Sequence, residues 1–158
     1  MTKPLVAGNW KMHGNANTAA ELAEHLALHD SAFVGVEVVV FPPVVHLDRV
    51  IAAAANSTVR VGAQNMSQWA SGAYTGEVSG EMLNDIGCDY VLVGHSERRG
   101  LFAESSQLVA EKFKAAQQQG LTPILCVGES LQQRQQEQTV KVVTEQIAAV
   151  TDLVGTES

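Results

Sequence analysis

The run Gly94-His95-Ser96-Glu97-Arg98-Arg99 places an imidazole, a hydroxyl, a carboxylate and two guanidinium groups directly after the apolar stretch Tyr90–Val93. Charged groups beside a core must be paired or solvated, so a buried strand normally ends in plain turn residues. A charged cluster at a strand's carboxyl end is where α/β enzymes place acid–base and electrostatic chemistry. A second such end is Gly8-Asn9-Trp10-Lys11, where an asparagine and a lysine close the first apolar run. Taken singly, each group has an ordinary structural reading. Lys11 is then a solvated strand end, His95 a satisfied polar group and Glu97 a carboxylate at a helix start. Their functional reading depends on the elements that carry them to one place.

Five short apolar runs recur along the chain: Leu5–Gly8, Val36–Phe41, Val59–Ala63, Tyr90–Gly94 and Pro123–Val127. They are nearly continuous rather than alternating, as expected of parallel strands covered on both faces. Helical signals fill the gaps. Thr18-Ala19-Ala20-Glu21 reads as a capping box, with Leu22 and Leu26 following at helical spacing. Pro43 suits a first helical turn before the stripe Leu47, Val50, Ile51 and Ala54. Ser79 caps a short helix ending at Gly87, and Ser96-Glu97 reads as a further helix start. Leu108, Val109, Lys112, Phe113 and Ala116 form a stripe closed by Gly120, and Val140, Val143, Ile147 and Val150 form another. The Gln-rich stretch between Gln132 and Gln138 reads as an exposed loop and helix start.

The resulting (βα)₅ order admits either an open doubly wound sheet or part of a closed barrel, and patterning alone does not choose. The first strand–helix turn, Gly8-Asn9-Trp10-Lys11-Met12-His13-Gly14, contains neither GxGxxG nor GxxxxGK[ST], which disfavours an open dinucleotide-binding or flavodoxin-like domain. The 158 residues suffice for one domain with a core, and no apolar run approaches the ~18 residues of a membrane helix. The first residues lack the pattern of a signal peptide. A net charge of −7 disfavours nucleic acid or an anionic membrane as partner. A small anionic substrate stays compatible, because the local field of Lys11 or Arg98 governs a pocket. Cys88 and Cys126 lie far apart in apolar segments and read as free buried thiols of a reducing cytosol. His25 and His29 share a helix face with no glutamate between them, so a solvated face is expected and no metal site.

Gly8-Asn9-Trp10-Lys11, Gly62-Ala63-Gln64-Asn65, Tyr74-Thr75-Gly76-Glu77, Gly94-His95-Ser96-Glu97-Arg98-Arg99 and Cys126-Val127-Gly128-Glu129 occur in this order. In order and separation they closely resemble the triosephosphate isomerase family, from Pro4 to about Val150. The resemblance implies a (β/α)₈ TIM barrel, with residues 1–158 forming a single partial domain of about five βα units. It implies a cytoplasmic enzyme of glycolysis and gluconeogenesis, homodimeric, with no metal or organic cofactor. The implied reaction interconverts glycerone phosphate and D-glyceraldehyde 3-phosphate by proton transfer through an enediol. Lys11 would hold the phosphate end and the developing oxyanion of this triose phosphate, with Asn9 hydrogen-bonding beside it. His95 would be the electrophile polarising the carbonyl, as a neutral imidazole, a known property of that family. Glu97 would pair with Lys11 and tune its position. Gln64, Thr75, Gly76 and Glu77 match the loop that reaches into a neighbouring subunit. Arg98, Arg99 and Glu104 read as a supporting ion-pair shell, and Cys126 as structural, with no cation beside it to activate the thiol.

A complete barrel of this kind runs to about 250 residues. The segments that carry the family's glutamate base, its mobile lid and its glycine-rich phosphate loop have no counterpart in the 158 residues. A fragment without isomerase activity of its own is therefore expected, with β-segments one and five as unpaired edges. A non-catalytic phosphate-binding or dimerisation module derived from the enzyme is the alternative.

Overall fold

The computed structural model describes residues 3–157. Five parallel strands lie in sequence order, β1 (Leu5–Asn9), β2 (Glu37–Phe41), β3 (Arg60–Ala63), β4 (Tyr90–Val93) and β5 (Thr122–Leu125). Each boundary falls within a residue or two of the apolar runs. Neighbouring strands are in register as Asn9 with Phe41, Val39 with Arg60, Gly62 with Tyr90, and Val93 with Leu125. Sequential parallel pairing without a reversal of strand order curls the sheet into the five-unit portion of a TIM barrel and excludes the doubly wound alternative. Among the described residues β1 and β5 each have one strand neighbour.

The central strands β2, β3 and β4 are buried on both faces, which explains their near-continuous apolar runs, while Leu5 and Val6 of the edge strand β1 are exposed. Val40, Val61, Val91 and Val93 join the helix-side core with Leu47, Val50, Leu83, Val109 and Phe113. The intervening Val39, Phe41 and Leu92 form a second cluster on the inner face, with Tyr90, Ile124 and Cys126 against it. Gly62 is required by that inner packing. A Cβ there would collide with the Phe41 ring and lie 2.8 Å from the Tyr90 carbonyl oxygen.

The helices are α1 (Ala16–Leu28), α2 (Leu47–Ala54), α3 (Gly80–Asp85), α4 (Ser96–Leu101), α5 (Ser106–Gln118), α6 (Leu131–Gln135) and α7 (Thr139–Val154). Two of their starts differ from expectation. The capping residue of α1 is Asn15, which accepts from the Asn17 and Thr18 N–H groups, while Thr18 reciprocates from the third helical position. The expected Thr18/Glu21 box therefore lies one turn too late, because Asn is the stronger cap and Thr18 serves as its partner. Pro43 precedes a 3₁₀ turn at Val44–His46 rather than sitting in the first turn of α2. Ser79 caps α3 as expected, accepting from Met82 N–H at 3.2 Å, and Gly120 closes α5 with φ of 78°. Where the Gln-rich stretch reads as an exposed loop and helix start, Ser130 just before it and Gln133 within it form a reciprocal capping box that makes a separate short helix, α6. α5 packs against α7 and α1 against α2. Among the described residues no helix is long and apolar enough to cross a membrane.

Candidate active site

The carboxyl ends of β1 and β4 bring the two charged clusters together. Lys11 Nζ donates to Glu97 Oε1 at 2.7 Å, a contact across 86 residues of sequence. Asn9, Lys11, Gln64, His95 and Glu97 line one cleft of about 470 Å³, with Phe102 on its rim. Another concavity, of about 390 Å³, opens at the amino end of β5 beside Phe113 and Pro123, away from these charged groups.

Lys11 owes its direction to an unusual backbone. Its φ of 53° is the left-handed region that side-chain-bearing residues adopt at a cost of order 1–3 kcal/mol. Two neighbours hold it there. Asn9 Oδ1 accepts the Lys11 N–H at 2.9 Å, and the Gln64 amide donates to the Lys11 carbonyl at 2.8 Å. The other Gln64 N–H reaches the Phe41 carbonyl at 2.8 Å. Gln64, grouped with the subunit-contact residues by resemblance, thus commits both amide protons to its own chain and ties the ends of β1, β2 and β3. Only this long-range contact shows that role; nothing in its local sequence does.

His95 stands between β4 and α4 as the residue that caps the helix. Its Nδ1 accepts the Glu97 backbone N–H at 3.2 Å. A peptide N–H is always a donor, so Nδ1 is unprotonated and the ring proton is on Nε2. The Glu97 carboxylate is 3.6 Å from Nδ1, outside hydrogen-bond range, and its bond to Lys11 is the shorter one. The ring is therefore a neutral donor through Nε2. The hydrogen bond from Lys11 holds the Glu97 carboxyl below the usual carboxylate range, against a smaller desolvation effect. Glu97 is a lysine partner here, not a cap.

The supporting shell is differently built from the expectation. Arg98 Nε and Lys112 Nζ both donate to Glu104 Oε1 at 2.5 Å, and Lys112 also reaches Asn65 Oδ1 at 2.9 Å. Burial pushes the Glu104 carboxyl up, but the hydrogen bonds from Lys112 and Arg98 outweigh it and leave it below the ordinary range. Arg99 is a correction: it has no carboxylate partner among the described residues. Its guanidinium bonds to the Gly94 carbonyl, the Ser106 hydroxyl and the Cys126 carbonyl. A cation does adjoin Cys126, contrary to expectation, yet burial still raises that thiol. The buried Lys112 was visible only as a lysine within an apolar stripe, a signal that a buried anion must face it.

Thr75, Gly76 and Glu77 form an exposed turn in which the Glu77 N–H meets the Tyr74 carbonyl at 3.0 Å and Gly76 takes φ of 94°. A glycine supplies the positive φ that such a turn needs. Trp69 stacks on Tyr74 with ring centroids 4.0 Å apart, and the Ser67 N–H to Val78 carbonyl bond closes the loop's base. Gly76 and Glu77 border the cleft that holds Lys11 and His95.

Five sequential parallel βα units with catalytic-type side chains on the carboxyl ends of the strands define the TIM-barrel class of α/β proteins. A family model described as triosephosphate isomerase matches residues 4–158. The chain is 50% identical over 166 aligned positions to the triosephosphate isomerase of Shewanella amazonensis, and 51% identical to that of Shewanella oneidensis. Each alignment takes in 99% of this chain and 62% of the relative, so the chain spans somewhat under two thirds of these proteins. The chain belongs to the triosephosphate isomerase family.

Proposed function

We propose that this chain carries the carbonyl-polarising and oxyanion-holding half of a triose-phosphate isomerase site. The reaction is the interconversion of glycerone phosphate and D-glyceraldehyde 3-phosphate through an enediol, in the cytoplasm and without a cofactor. One observation carries the reading. Lys11 from β1 and the Nε2–H form of His95 from β4 share one cleft, linked through Glu97.

In this reading His95 Nε2–H donates to the substrate carbonyl and stabilises the oxyanion that forms there, as a preorganised donor does in acyl- and proton-transfer sites. Lys11 supplies the positive charge for the phosphate end and the enediolate, and Asn9 fixes the lysine's backbone while facing the same cleft. Glu97 positions the ammonium group. Thr75, Gly76 and Glu77 reach toward a second copy of the chain in a homodimer. Removal of a carbon-bound proton needs a base, worth about 10²–10⁴-fold in rate. The carboxylates bordering the cleft are Glu77, assigned to the subunit contact, and Glu97, engaged by Lys11. The base then lies outside the described residues, and the 158-residue chain alone turns over no substrate.

The test is a titration of the purified chain with glycerone phosphate, followed by backbone and imidazole resonances, beside a coupled isomerase assay. Saturable shifts centred on Asn9, Lys11 and His95, lost in Lys11→Met, with no turnover, are expected. Shifts elsewhere or none would refute the site, and turnover near that of a full-length relative would refute the half-site.

A further inference from the structure

We propose that Arg99 is the positioning residue for His95, a three-way brace that fixes the backbone from which the imidazole is aimed. The inference rests on His95 as the carbonyl-polarising group and adds what holds it. Arg99 Nε donates to the Gly94 carbonyl at 2.7 Å, immediately before His95. Nη1 donates to Ser106 Oγ at 3.2 Å, at the start of α5, and Nη2 to the Cys126 carbonyl at 3.3 Å, just past β5. One planar group thus joins the end of β4, the following helix and the end of the neighbouring strand.

The choice of residue is informative because it is costly. A half-buried guanidinium held by neutral acceptors has no hydrogen-bonded carboxylate to balance its desolvation. Burial accordingly pulls its proton affinity down, although Cys126 and Glu104 favour the charge. The fold also makes room for it. Gly94 has φ of 72°, and a Cβ there would sit 2.7 Å from both Arg99 Nη2 and Val109 Cγ1. A rigid fork satisfies acceptors in three directions at once, which a lysine ammonium on a flexible stem does not reproduce. The His95 ring is in turn oriented through the Glu97 N–H, within the same turn of backbone. Loosening the Gly94 carbonyl therefore loosens the bond that sets the tautomer.

The experiment uses the ¹⁵N-labelled 158-residue chain, with His95 ring nitrogen shifts and amide hydrogen exchange as separate readouts. In the parent chain the ring holds its proton on Nε2. Arg99→Lys moves both ring nitrogens toward a tautomer mixture. It also speeds exchange at the Glu97 and Cys126 amides about tenfold relative to β1 amides, as expected for losing charge-assisted hydrogen bonds. Ser106→Ala, which removes one arm of the brace, gives the same direction with smaller size and decides the matter if Arg99→Lys does not fold. Ring shifts and relative exchange unchanged in the folded variants would overturn the brace. A parent ring protonated at Nδ1 would instead remove the assigned role of His95, while the exchange data still judge Arg99.

Discussion

Replacing Lys112 by methionine isolates one buried charge and makes its energetic consequence measurable. Glu104 has a side chain only 3% exposed, and Lys112, at 5%, is its closest buried cation. The second oxygen, Oε2, is buried with no hydrogen-bond partner among the described residues. Methionine preserves most of the volume of Lys112 but leaves the carboxylate with Arg98 alone, whose side chain is 31% exposed. Breaking a buried pair by removing one partner costs about 3–5 kcal/mol. The remaining arginine places this case near the lower end, about 3 kcal/mol. At a urea slope of about 2 kcal/mol/M, the unfolding midpoint falls by about 1.5 M at neutral pH.

The pH dependence gives the sign independently. In the parent chain Glu104 has a folded pKa below its unfolded value. Its contribution is therefore complete above the unfolded carboxylate pKa of about 4.3, and is lost as pH falls through the lower folded value. Without Lys112 the desolvation that raises this carboxyl is less opposed, so the folded pKa climbs and protonation at mild acidity relieves the buried charge. The gap between parent and Lys112→Met then narrows between pH 7 and pH 4. Adding Glu104→Gln to Lys112→Met removes the stranded charge and recovers part of the loss. A loss below about 1 kcal/mol at pH 7, or a gap that does not change with pH, would refute the buried-charge argument.

Gly62→Ala is expected to lower stability by about 1–3 kcal/mol through overpacking, since the Tyr90 carbonyl cannot swing aside as a side chain can. A thermal midpoint lowered by about 2–4 °C per kcal/mol is the readout, and an unchanged midpoint would show that the inner cluster has slack. Cys88 is buried, and desolvation, reinforced by Asp89, pushes its thiol up to about 12. At pH 8 only about one part in ten thousand is thiolate. Labelling of Cys88 by a disulfide reagent is therefore expected to track urea unfolding, and rapid stoichiometric labelling of the folded chain would contradict its burial.

The succession of strands and helices was legible because it depends on local signals. Apolar runs of the right length alternate with helical stripes, and the charged residues directly follow them. The order of the strands in the sheet and the strand ends that meet followed instead from the resemblance, since patterning alone also admits a doubly wound sheet. Pairing of Glu97 with Lys11 was also within reach, given a resemblance that set β1 and β4 on a common rim. What escaped was set by distance or by competition. Asn15 displaced Thr18 as the cap of α1 because two good capping residues stood three positions apart, and the sequence pattern is satisfied by either. The Gln-rich stretch hid α6 because polar composition masked a Ser130/Gln133 box. The intrachain bonds of Gln64 and Arg99 escaped for a common reason. Their partners are backbone carbonyls, which every residue has and no sequence motif marks.

That difference separates two layers of the site. Groups that face the cleft and pair through charged side chains leave a trace in residue identity, as Lys11 and Glu97 do. Groups that aim them bind carbonyls at strand ends, and their trace is the conformation they enforce. Lys11 at φ of 53° under Gln64 and Asn9 is one case, and Gly94 at 72° under Arg99 is the other. In both, a backbone held in the left-handed region sits within one residue of a group that faces the cleft, and a side chain from further along the chain donates to its carbonyl. At Lys11 the cost of that conformation is offset by such bonds, whereas Gly94, as a glycine, adopts it without steric cost. In both cases the donor also reaches the neighbouring strand end: Gln64 binds β2 as well as Lys11, and Arg99 binds the Cys126 carbonyl beyond β5 as well as Gly94 beyond β4. The positions of Lys11 and His95 are thus properties of adjacent strand pairs, which is why the order β1-β2-β3-β4-β5 matters to the chemistry and not only to the fold.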